Sequence, residues 1–430
     1  MTGRRRPPSL HRSGAAFAAC AALSASLVSG CGPLPLAAAG PGNPVIVMTW
    51  APEGTAATNM PGMTAMARTY ARWVNASGGI DGRELKVVTC NERNNGIEAG
   101  HCAQRAVAEG AAAVVGSYSQ HGRTFMSPLE MAGIPYIGGY GVTDEEFTSP
   151  FSYPVNGGQA ALLAGNGQQL ARTCERVTLV RPDTVAGDRM VAFINAGLAQ
   201  DGRHEVTDVL APEDAEDYTA QARAAGVRPG EGKARSAACV TAVLGDRTDD
   251  FFRSFRKLHD GGRDVQIASV LGGVGQDVVN RTGGEDSPFD GAFVTGWYPE
   301  PGHPRWEPMR AVVRGHADGE EIDTADPGVQ TTWIAYTVLR VVIESLGDSE
   351  VTAGSVRRAL DRGIEGGVDT GGVTPKLSWR YEDLLAVRDH PRMANAMVTY
   401  LEVRHGRVVP VRNGFVSVAE TLESNPEDRR

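Results

Sequence analysis

Short apolar runs recur along the chain, and each is followed by a polar, Gly-rich loop and then by apolar residues at helical spacing. Val45–Thr49 (VIVMT) reads as a first strand without alternation, the pattern of a strand buried on both faces of a parallel sheet. Met63, Met66, Ala67, Tyr70, Ala71, Trp73 and Val74 then share one helical face, which stops at the turn cluster Asn75–Gly79. A strand over Glu84–Thr89, a helix from about Glu98 to Gly110, and short strands at Ala113–Val115 and Pro135–Ile137 continue the alternation. The pattern restarts after Phe151–Pro154. It predicts helices over Gly157–Ala171, Arg189–Gln200 and Asp217–Ala225, and strands over Arg176–Val180, Val206–Leu210, Cys239–Leu244 and Val265–Val270. Phe251, Phe252, Phe255 and Leu258 mark another amphipathic helix, Thr331–Leu346 is strongly apolar, and Gly226–Ser236 reads as a polar surface insertion. Strands alternating with helices at this spacing predict doubly wound α/β units. The single restart and a length of 430 residues predict two of them.

The first residues break this rhythm. Arg4–Arg6, with His11 and Arg12, precede an apolar stretch from Ala15 to Val28 that is too short to span a bilayer. It ends in Leu27-Val28-Ser29-Gly30-Cys31, which resembles a bacterial lipobox. That likeness implies a signal peptide over residues 1–30 and lipidation of Cys31. Residues 31–44 carry several Pro and Gly without periodicity and read as a flexible tether. The expected location is therefore the outer face of the cytoplasmic membrane, with contact to the membrane through the lipid alone.

The net charge of −9 argues against nucleic acid or an anionic surface as the main partner. Four cysteines remain beyond the leader, with no zinc or redox spacing, and three pairings are possible. Cys90 ends a strand and Cys102 opens the next helix, while Cys174 and Cys239 each precede a strand of the second unit. We therefore expect the disulfides Cys90–Cys102 and Cys174–Cys239.

ARWVNASGGIDGRELKVVTCNERNN, followed by CAQRAVAEGAAAVVGSYSQ and GIPYIG, resembles the leucine/isoleucine/valine-binding family of type I periplasmic binding proteins. The ordered set carries the likeness rather than any single motif. It implies two doubly wound parallel-sheet lobes joined by a three-segment hinge, with crossings after Pro154, near Phe293–Trp297 and near Gly371–Trp379. The lobes would be residues 45–153 with 293–374, and residues 154–292 with 375–430. Met397–Val403 and Val408–Val411 would close the second lobe as a hairpin. The family's role implies a monomeric extracytoplasmic protein that captures a small polar ligand, such as an amino acid or an amide, and delivers it to the permease subunits of an ABC importer. A ligand sensor of the same fold, feeding a signalling partner, is the alternative.

Nothing in the chain points to an enzyme or a cofactor: GxSxG, the P-loop and HExxH are absent. Ser254-Phe-Arg-Lys257 fits SxxK but lies on an amphipathic helix without that motif's partner motifs. The ligand is expected between loops at strand ends. The resemblance places Ser119, Gln120 and His121 in one loop and Gly141, Val142 and Thr143 in the next, as an anion-holding wall of N–H groups and hydroxyls. Thr143 and Glu146 also form Thr-x-x-Glu, a pattern that can draw the hydroxyl inward. Ala186, Asp246 and Gly273, from the loops 182–187, 245–248 and 271–275, would face that wall. Gln120, His121, Tyr140 and Ala186 depart from the amino-acid binders, and no acidic partner for an α-ammonium follows Val270.

Overall fold

The computed structural model describes residues 42–212, 214–226, 238–258 and 265–424. The expected leader, Cys31 and most of the tether and of the insertion at 226–236 lie outside the described residues. Its first sheet takes five strands: β1 (Gly42–Ala51), β2 (Arg83–Asn91), β3 (Ala113–Val115), β4 (Tyr136–Ile137) and β5 (Ser152–Tyr153). They lie in the order β2-β1-β3-β4-β5, and every pairing is parallel. The second sheet contains β6 (Arg176–Pro182), β7 (Thr207–Ala211), β8 (Ala238–Ala242), β9 (Gln266–Val270), β10 (Phe293–Gly296), β11 (Met397–Arg404) and β12 (Arg407–Pro410), in the order β12-β11-β10-β9-β8-β6-β7. β13 (Val416–Ser417) adds to β11. The strand β11 enters antiparallel to β10 and returns through a hairpin to β12, as expected for the end of the chain.

Three of the boundaries that differ from the sequence reading are explained by strand pairing or by helix capping. β1 starts at Gly42, inside the expected tether, because Gly42 pairs with Arg83 ahead of a bulge. The run Phe293–Gly296 does not leave for the first lobe. It pairs with β9 and β11 in the second sheet, so the second crossing begins only at Trp297. The helix expected at Thr331 starts earlier, at Pro327, because the Asp326 carboxylate caps the Val329 N–H at 2.8 Å and Pro at the first turn needs no N–H partner.

The helix Pro327–Glu344 lies over the first sheet beside the helix Pro61–Ala76, where Tyr70 meets Trp333 and Tyr336 at ring separations of 5.2 and 5.3 Å. Tyr336 shares a hydrogen bond of 2.8 Å with Thr49 of β1, which ties this late helix to the first strand. Burying such aromatic side chains contributes roughly 1.5–3 kcal/mol each. Both expected disulfides form. Cys90–Cys102 pins the end of β2 to the following helix, and Cys174–Cys239 ties the entry of β6 to β8.

The three crossings bond to one another. Trp379 Nε1 donates to Pro154 O at 3.0 Å and Asn395 Nδ2 to Val155 O at 3.0 Å. Asn156 Nδ2 reaches the Tyr298 hydroxyl at 3.1 Å, and the Thr399 hydroxyl donates to Tyr298 O at 2.6 Å. These bonds hold the hinge as one buried strip, so relative motion of the lobes must pivot there.

Candidate functional site

All the loops that matter leave the carboxyl ends of parallel strands, where neighbouring turns in a doubly wound sheet open a crevice. From the first lobe come the loops 117–122 after β3 and 138–143 after β4. From the second come 182–187 after β6, 243–248 after β8 and 271–275 after β9. They meet around an inner chamber of about 80 Å³. Tyr118, Tyr140 and Trp297 supply its aromatic wall, with Tyr140 edge-on to Tyr118 at 5.3 Å and to Trp297 at 5.1 Å. Met60, Leu162, Met190, Val243 and Leu271 add apolar surface. The polar lining is uncharged: Thr58, Gln120, Gln159 and Thr184. Gln120, Val142, Gln159 and Ala186 separate this chamber from an outer one of about 420 Å³, which carries Arg123, Asp144, Glu145, Arg189 and His390.

The lobes touch on both sides of the chamber. On one side the Asp246 carboxylate accepts the Asn59 N–H at 3.1 Å, and Arg247 donates to Ala56 O at 2.7 Å. On the other, Arg189 pairs across the cleft with Asp144 at 3.2 Å, and within its own lobe with Asp389 at 3.3 Å. Between them Gly272, at φ +97°, lies so near Tyr140 that an added Cβ would come within 2.6 Å of the phenol oxygen. The cleft is therefore closed, and this close approach accounts for the glycine at 272.

The expected ligand contacts fall into three groups. Gln120, Val142, Ala186 and Gly273 line the inner chamber. His121, Gly141 and Thr143 line the outer one. Ser119 and Asp246 line neither; Asp246 serves as the cross-lobe contact described above, and burial raises its pKa.

The wall's polar groups are directed to the chain's own carboxylates. Glu146, almost wholly buried, accepts the N–H groups of Gly141 and Val142 at 2.9 Å and of Thr143 at 3.0 Å, and the Thr143 hydroxyl at 3.2 Å. Burial lifts its pKa to about 7 against these donors, which pull it down. In the adjacent loop the Ser119 hydroxyl donates to buried Glu92 at 3.0 Å and itself accepts the His121 N–H at 3.1 Å. Burial also raises the Glu92 pKa, and Ser119 lowers it. The N–H groups of Tyr118, Tyr140, Gln159, Leu244, Leu271 and Gly273 likewise have acceptors within the protein.

Sequence reasoning missed Tyr118 and Trp297 as lining residues, and noted Tyr140 only as an oddity. Bulky aromatics inside Gly-rich strand-end loops were the available signal, because such loops otherwise favour small residues. The SxxK candidate resolves simply: the Ser254 hydroxyl donates to Asp250 O at 3.1 Å within its own helix. No helix among the described residues is long and apolar enough to cross a membrane.

Residues 46–389 match the family model described as "Periplasmic binding protein". No curated protein sequence matches the chain. Solved structures with similar folds include a branched-chain amino acid ABC transporter protein from Thermus thermophilus with bound valine, 15% identical, with a TM-score of 0.71 over 89% of this chain and 98% of that one. A fatty acid ABC transporter substrate-binding protein from Thermomonospora curvata is 13% identical, with a TM-score of 0.71 over 90% and 96%. A solute-binding protein of an ABC transporter from Rhodopseudomonas palustris, in complex with 3,4-dihydroxy benzoic acid, is 12% identical, with a TM-score of 0.68 over 90% and 99%. At these identities the likeness is one of fold.

Proposed function

Because the chain belongs to the periplasmic binding protein family, a family of solute binders and not of enzymes, we propose that it captures a small solute between its lobes and delivers it to the permease subunits of an ABC importer. The observation that carries this reading is the inner chamber. Strand-end loops of both lobes enclose it, and the cross-lobe contacts of Asp246 and Arg189 close over it. A solute that touches both walls interacts only with the closed form, and that differential affinity shifts the hinge equilibrium. Gln120, Val142, Ala186 and Gly273 would contact it from the sequence-derived set, joined by Tyr118, Tyr140 and Trp297.

Export as a monomer held by a lipid on Cys31 completes the proposal, and the lipobox-like residues 27–31 support it. The related folds are described with valine, a fatty acid and an aromatic acid. The scaffold thus leaves the ligand open, and this chain's own cleft must supply its chemistry. Native mass spectrometry of residues 41–430, which form one compact unit, tests the reading against a small-molecule library. One solute bound per chain is the expected result. Turnover of a substrate, or no binding anywhere in the library, would contradict it.

A further inference from the structure

We infer, on the premise that this is a solute-binding cleft, that its ligand is uncharged: an apolar group sits in the inner chamber and a neutral hydrogen-bonding group faces Gln120 and Gln159. Three independent observations converge on this. First, among the described residues no Asp, Glu, Lys, Arg or His lines the inner chamber, so a carboxylate or an ammonium placed there would touch no countercharge. The carboxyls that act on Tyr140 from beyond the lining, Asp246 and Asp326, each have a pKa raised by burial. An unpaired ion buried in apolar surroundings is disfavoured by several kcal/mol.

Second, the donors that would otherwise cradle an anion are occupied. The amides of Gly141, Val142 and Thr143 converge on the Glu146 carboxylate, and the Ser119 hydroxyl on Glu92. Glu146 is buried behind the loop and lines neither chamber, so these amides are aimed away from the cleft. The chain supplies for itself the negative charge that a ligand carboxylate would bring. A second carboxylate on the cleft side would find those N–H groups taken and a like charge close behind them.

Third, the charges of the outer chamber are already matched in pairs, Arg123 with Glu145 at 3.1 Å and Arg189 with Asp144 at 3.2 Å. The second of these pairs bridges the lobes and helps close the cleft without needing a charged ligand. The inner chamber is smaller than the roughly 150 Å³ apolar cavity that accepts benzene. A branched aliphatic end fits it, with the rest of the molecule reaching past Gln120 and Val142 into the outer chamber.

The test uses sets of near-isosteric probes that differ in their head group: isovaleramide, isovalerate and isoamylamine, then 3-phenylpropanamide, 3-phenylpropanoate and 3-phenylpropylamine. Each is titrated into residues 41–430 at pH 7.5, with tryptophan fluorescence and thermal shift as readouts, and repeated in Trp297→Phe. The neutral member of at least one set should bind at least tenfold more tightly than either charged member, with a fluorescence change that Trp297→Phe diminishes. A carboxylate or an amine that binds as tightly as its amide, with the same dependence on Trp297, would overturn the inference and leave the solute-binding reading standing. If no probe and no member of a broad metabolite library binds, the solute-binding reading fails and the inference falls with it.

Discussion

The Glu146 carboxylate accepts both the N–H and the hydroxyl of Thr143, at 3.0 and 3.2 Å, from the loop expected to hold the ligand. This contact makes Thr143 a residue that orders the loop. Thr143→Val should lower unfolding free energy by about 1 kcal/mol, the usual net contribution of one buried hydrogen bond. It should change ligand affinity by less than about threefold. Glu146→Ala, which leaves three converging N–H groups without an acceptor, should cost about 3 kcal/mol. Denaturant unfolding and ligand titration on the same samples check both.

Two buried carboxyls govern the pH dependence. Burial raises both Glu146 and Asp326 to about 7. The folded state thus holds protons that the unfolded state has released between roughly pH 4 and pH 7. Stability is full below the unfolded pKa and falls as pH rises towards and through 7, by on the order of 3–4 kcal/mol for each group. Asp326→Asn keeps a side-chain cap for Val329 and should flatten this decline in a pH series of chemical denaturation.

The disulfides should differ in weight. Cys174–Cys239 closes 65 residues and Cys90–Cys102 only 12. Loop-closure entropy assigns them roughly 4 and 3 kcal/mol. Paired Ser variants at each bridge, compared by thermal unfolding, should show the larger loss at 174/239; the reverse order would point to strain rather than chain entropy.

Much of this architecture was legible because periodicity and composition encode it directly. Short, β-branched, unbroken runs such as VIVMT, bounded by polar Gly-rich loops, read as strands buried on both faces, and the Gly-rich exits marked the crevice loops. The positions of the four cysteines led to the expected pairing on the condition that β6 and β8 are sheet neighbours, and the observed strand order β8-β6-β7 meets that condition. The site was less legible. Thr-x-x-Glu in residues 143–146 announced an internal role for the hydroxyl, but not that Glu146 would collect three amides, because that depends on how the loop folds back on itself. Phe293–Gly296 was assigned to a crossing because nothing local distinguishes a final strand from a hinge; its pairing with β9 and β11 decides the matter. Tyr118 and Trp297 meet through Tyr140 although they lie far apart in the sequence, and no local pattern records such a meeting.

The account rests on closure of two walls over a solute, where Gly272 approaches Tyr140. Gly272→Leu would place a side chain in that contact, at a φ of +97°. Gly291→Leu carries comparable backbone strain, at φ +83°, with nothing within 4 Å. A thermal-shift screen of small solutes across the wild type and these two variants tests the claim most directly. At least one solute should raise the melting temperature of the wild type and of Gly291→Leu by several degrees and leave Gly272→Leu unmoved. Solutes that stabilise all three proteins equally, or none that stabilises the wild type, would contradict it.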